Sequence, residues 1–149
     1  MSKIRLTKQF GFEMAHALWN YSGPCRNIHG HSYRLFVTVI GEPKNEPGNP
    51  EDGMIMDFSL LKKIVNEEVV HKLDHALIVS SKANHEFMKS VEQMFEKYYI
   101  LEYQPTCENI IVDISQRISK RLPDHVVLYS LRLYETDTSY AEWYAEDNA

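Results

Sequence analysis

Cysteine is scarce: Cys25 and Cys107 are the only two in 149 residues, too few for a disulfide framework. Long apolar runs are missing as well. Nothing approaches the ~18 consecutive apolar residues of a membrane-spanning helix. The first twenty residues, MSKIRLTKQFGFEMAHALWN, hold no apolar stretch of signal-peptide length. A cytoplasmic protein with two free thiols and no membrane partner is therefore expected. Basic excess is also missing. The formal charge is −5, which argues against a nucleic-acid partner, and no block of like charges suggests an acidic tail or basic arm. Internal repeats and low-complexity stretches are absent.

What is present is ordinary globular material, 44% apolar and 25% charged. A chain of this length suits a single domain over residues 1–149, burying roughly 68–70% of its unfolded surface. In 3–16, Ile4, Leu6, Phe10, Phe12 and Met14 fall on even positions, a strand period with a bulge expected at Gly11. Residues 31–41, rich in aromatic and β-branched types, predict a second strand. Between them lies a long loop, 17–30. The Pro/Gly/Asn-rich stretch 42–53 is a turn.

Asp57 reads as the N-cap of a helix over 58–73, with Leu61, Ile64, Val65 and Val69 on one stripe. A second amphipathic helix is expected over 84–99. A third opens at Pro105-Thr106, runs to about 121 and is stopped by Pro123. Strands over 126–135 and 138–145 close the chain. The pattern β-β-α-(α)-α-β-β predicts an α+β domain, a four-stranded antiparallel sheet with helices on one face. Such a sheet has two open edges, which pairing with other copies would cover.

The densest chemistry lies in Cys25-Arg26-Asn27-Ile28-His29-Gly30-His31. On a strand, His29 and His31 share a face, and Gly30 between them carries no side chain to obstruct their approach. His16 ends the preceding strand, which would lie antiparallel beside the second. Three imidazoles leave one tetrahedral position open, the arrangement of a catalytic zinc, and no fourth thiolate closes the set. Cys25 is either an inert thiol or, beside a cation, a thiolate base or nucleophile. Cys107, in the first turn of a helix, suits the inert role. Asp74-His75 is either a relay, carboxylate orienting imidazole, or an ordinary helix end, since adjacent side chains rarely point at each other. Glu135 is either a solvated strand-end carboxylate or an acceptor for the paired N–H groups of a guanidine-like edge such as a pterin's.

Six stretches in this order resemble the 6-pyruvoyl tetrahydropterin synthase superfamily. They are Phe12-Glu13-x-Ala15-His16, Cys25-x-x-x-His29-Gly30-His31, Gly53-Met54-Ile55-Met56-Asp57-Phe58, Leu73-Asp74-His75, Pro105-Thr106-x-Glu108-Asn109 and Glu135-Thr136. The resemblance implies the tunnelling fold, whose subunits join edge to edge into trimers that stack as a homohexamer, with active sites at subunit interfaces. It implies one zinc ion per subunit on His16, His29 and His31, and a catalytic set of Cys25, Asp74 and His75, the last two from a neighbouring subunit. Glu135 would anchor the pterin, with Thr106 and Glu108 lining its pocket.

The three-residue spacer between Cys25 and His29 resembles the bacterial 6-carboxytetrahydropterin synthases of the queuosine pathway. Their substrate is 7,8-dihydroneopterin triphosphate. The sister activity, 6-pyruvoyl tetrahydropterin synthesis, stops before side-chain cleavage and is the alternative. A pterin-binding protein without catalysis would need neither Cys25 nor Asp74-His75. Two features depart from the pattern: Met14 stands where a small residue is usual, and 76–104 is longer than in the compact bacterial members.

Overall fold

The computed structural model describes residues 2–149. Strands β1 (Ile4–His16) and β2 (His29–Gly41) form a ladder in unbroken register, from Ile4 opposite Gly41 to His16 opposite His29. Alternation then does what the sequence requires. Phe10, Phe12, Met14 and His16 from β1, with Tyr33, Leu35, Val37 and Val39 from β2, are buried on one face.

Helix α1 (Phe58–Val65) lies on that face, continued by a π-helical turn over Asn66–Val70 and by α2 (His71–Leu73). The Asp57 side chain accepts the Ser59 N–H at 2.7 Å and starts α1, as expected. Helix α4 (Cys107–Ser119) buries Ile110, Ile111, Ile114 and Ile118 in the same core. Each such side chain contributes ~1.5–3 kcal/mol through burial. Gly53 sits at φ +80°, a left-handed turn position that suits glycine.

The expected four-stranded antiparallel sheet with helices on one face is corrected in two respects. Residues 76–104 are a β-α-β unit: β3 (Ala76–Ser80), α3 (His85–Met94) and β4 (Tyr98–Leu101). β3 runs parallel to β1, β4 runs parallel to β3, and the sheet has six strands in the order β4-β3-β1-β2-β5-β6. β5 is Val127–Tyr134 and β6 is Tyr140–Tyr144.

Helix α3 also lies on the opposite face from α1 and α4. Ala76 and Ile78 point into the main core, whereas Leu77 and Val79 pack with Val91 and Phe87 in a second, smaller one. With both faces covered, β3 is a continuous apolar run without alternation, so no period of two marked it as a strand. Phe95, in extended geometry, ends α3 short of 99.

The bulge expected at Gly11 is also elsewhere. The β1–β2 register does not shift; the irregularity falls between β2 and β5, where Thr38 faces Ser130 and Val39 faces Leu128, leaving Tyr129 unopposed. Among the described residues, no helix is long and apolar enough to cross a membrane.

Candidate metal centre and its cavity

His16 is the last residue of β1 and His29 the first of β2, paired across the ladder, and His31 follows two residues on. Their ligand nitrogens all lie within 4.8 Å of one another, so the three could hold a metal ion. Main-chain carbonyls orient two of the rings: His16 Nδ1 donates to Pro105 O at 2.6 Å and His29 Nδ1 to Asn27 O at 2.7 Å. A carbonyl only accepts, so in each neutral ring the proton sits on Nδ1 and the Nε2 lone pair is free. Those two Nε2 atoms are 3.0 Å apart. His31 Nε2 is buried without a hydrogen-bond partner, with Glu135 Oε1 3.8 Å away.

Burial pushes the His16 imidazole down to about 4, against a smaller upward pull from its Pro105 bond. Burial also lowers His31, opposed by the Glu135 carboxylate. Three converging lone pairs, one of them orphaned, fit a cation. Gly30 plays a smaller part than expected. It faces the other side of the sheet, and a Cβ there would meet nothing closer than Met14 O at 3.5 Å.

A cavity of about 340 Å3 opens beside His16, and Cys25, Thr106, Glu108 and Glu135 all line it. Cys25 arrives on a single 3-10 turn, Pro24–Arg26, whose carbonyl at Cys25 accepts the Leu18 N–H at 3.0 Å. Glu135 follows β5 directly, its N–H bonded to Ser139 O at 3.0 Å. Thr106 caps α4, its hydroxyl oxygen accepting the Asn109 N–H at 3.3 Å.

Sequence reasoning missed Tyr21, Cys107, Ser139 and Tyr140 in the same lining. Cys107 donates to Leu133 O at 3.4 Å, and burial, reinforced by the Glu135 charge, pushes its thiol up to about 11. Tyr33 lies beneath the site, 1% exposed, its hydroxyl unpartnered and its proton held more tightly by burial and by Glu135. Only the even spacing from His29 and His31 marked its face.

Asp74 and His75 do point at each other: His75 Nδ1 is 2.9 Å from Asp74 Oδ2. The contact is possible between neighbours because His75 takes φ +60°. Asp74 Oδ1 also accepts the Glu13 N–H at 2.8 Å. That bond, with the His75 contact, holds the carboxyl below its ordinary range. The pair does not line the cavity of Cys25. His75 instead lines a separate cavity of about 680 Å3 with Glu13, Ala15, Ser32, Phe95 and Lys97.

The family model for 6-pyruvoyl tetrahydropterin synthase matches residues 5–146, and the chain belongs to this family. The 6-carboxy-5,6,7,8-tetrahydropterin synthase of Haemophilus influenzae is 30% identical over 142 residues, covering 94% of this chain and 98% of the relative. A protein described as a putative 6-carboxy-5,6,7,8-tetrahydropterin synthase, from Pyrococcus horikoshii, is 33% identical over 155 residues, covering 94% and 88%. In three dimensions the chain is similar to the 6-pyruvoyl tetrahydropterin synthase of Caenorhabditis elegans, with a TM-score of 0.69 at 24% identity over 97% of each chain. The α+β architecture is thus the tunnelling fold, here with six strands.

Proposed function

We propose that this chain is a zinc-dependent lyase of queuosine biosynthesis. It converts 7,8-dihydroneopterin triphosphate and water to 6-carboxy-5,6,7,8-tetrahydropterin, acetaldehyde and triphosphate. The observation that carries this reading is a cavity in which Cys25 and Glu135 meet His16, one of the three clustered histidines that could hold a metal ion. The names of the relatives support the choice of reaction.

Glu135 accepts the paired N–H groups of the pterin edge, a bidentate contact that fixes the ring. The Thr106 hydroxyl and Glu108 complete that end of the pocket. His16, His29 and His31 hold the zinc ion, which when bound acidifies the side-chain carbons and stabilises developing negative charge. Cys25 takes a proton from the substrate side chain. Asp74 and His75 move protons on the opposite side of the substrate. They lie outside the Cys25 cavity of their own chain, and in this reading a neighbouring subunit of a homohexamer, a dimer of trimers, supplies them.

The test is mass spectrometry of the products made from 7,8-dihydroneopterin triphosphate by zinc-loaded protein, alongside Cys25→Ala. Carboxytetrahydropterin with acetaldehyde, lost in Cys25→Ala at unchanged zinc content, supports the reading. A pyruvoyl product moves the chain to the sister activity. No product at full zinc occupancy leaves a pterin-binding protein. Turnover surviving in Cys25→Ala removes that residue from the mechanism.

A further inference from the structure

We propose that Lys97 is the positioning residue of the Asp74–His75 pair, a function delivered by the β3-α3-β4 unit; it rests on the role given to that pair above. Lys97 stands between α3 and β4. Its ammonium donates to the carbonyls of His71 at 2.8 Å and Asp74 at 2.5 Å. Its own carbonyl accepts the Leu77 N–H at 3.1 Å. One residue therefore grips the chain on both sides of His75.

The gripped segment needs holding. The carbonyls at the end of α2 have no helical partner, and a cation there satisfies them and complements the helix dipole. His75 occupies the left-handed region, which a non-glycine residue keeps only when its surroundings impose it. β1 supplies one anchor, through His75 N–H to Glu13 O at 2.5 Å and Glu13 N–H to Asp74 Oδ1 at 2.8 Å. Lys97 supplies the other.

The imidazole itself is 78% exposed. Within its own chain little packs against it, so the backbone of 74–75 and the Asp74 contact decide where it points. A group that must meet a substrate bound elsewhere depends on that direction, and a displacement near 1 Å costs on the order of 100-fold in rate.

The experiment compares Lys97→Met, which keeps the stem, with Lys97→Arg, which restores the donors, and with Lys97→Gln in case the Met variant misfolds. His75→Ala and the double variant complete the set, all zinc-loaded. The expected result for Lys97→Met is a kcat lower by roughly 10- to 100-fold, with KM and zinc content unchanged and substantial recovery in Lys97→Arg. The double variant is no slower than His75→Ala, because the lysine acts through the histidine. Amide hydrogen exchange over 74–77 quickens in Lys97→Met while β1–β2 stays protected. Wild-type kcat in Lys97→Met, losses that multiply in the double variant, or unchanged exchange over 74–77 each overturn the proposal. If wild-type protein makes no product, the function reading fails by itself, and the exchange result decides whether Lys97 holds the turn.

Discussion

His16 and His29 face each other across the last rung of the β1–β2 ladder with Nε2 atoms 3.0 Å apart, each ring turned by a main-chain carbonyl behind it. Two lone pairs at that separation repel unless a cation lies between them. Purified protein is expected to carry one divalent ion per chain by elemental analysis. His29→Ala should bind it more weakly by at least the 10–100-fold that loss of a ligand's hydrogen-bond partner costs.

The same burial makes metal-free protein acid-sensitive. The folded His16 protonates near 4 and the unfolded one near 6.5. Between those values the unfolded chain binds the extra proton, so stability falls as pH drops from 6.5 towards 4. Urea midpoints of chelated protein should decrease across that window. His16→Gln should flatten the decrease.

Asp113 accepts from Tyr103 Oη at 2.5 Å and from Arg117 Nε at 2.8 Å. Burial raises its proton affinity, but these bonds outweigh burial and hold the carboxyl below its ordinary value. Asp113→Ala should cost about 2 kcal/mol at neutral pH. The depressed carboxyl contributes above its unfolded value and loses that contribution as pH falls through the folded one. The gap between variant and wild type should therefore narrow below pH 3.8, read by urea unfolding at each pH.

The two cysteines should differ in reactivity. With its thiol pushed up to about 11, Cys107 has almost no thiolate at pH 8. Alkylation by iodoacetamide at pH 8, mapped by peptide mass, should therefore fall on Cys25. Cys25→Ser should leave the chain unlabelled until the pH exceeds about 10.

Leu35, fully buried in the centre of β2, reports on the main core. Leu35→Ala should destabilise by about 2–5 kcal/mol, measured by the denaturation midpoint. Metal binding to the folded variant should persist, because the candidate ligands sit at one end of the ladder.

Much of this molecule could be read from local chemistry. An H-x-H on a strand puts both rings on one face by the period of two, and a histidine ending the neighbouring antiparallel strand must come beside them. Asp57 and Thr106 announced their helices because a cap is a contact between residues two or three apart. Such features depend on neighbours in sequence, and the chain by itself determined them.

Tertiary structure decided the rest. Ala76–Ser80 became a strand only because β1 lay open to pair with it and α3 covered its second face. Burial on both faces erased the alternation that would have declared it. Cys107 joined the lining of the Cys25 cavity, and Asp74–His75 was turned away from it. The direction of the pair follows from a left-handed residue and from bonds to Glu13 and Lys97, 61 and 23 residues away from Asp74. No local pattern encodes contacts at that separation, because their energy exists only once the sheet has formed.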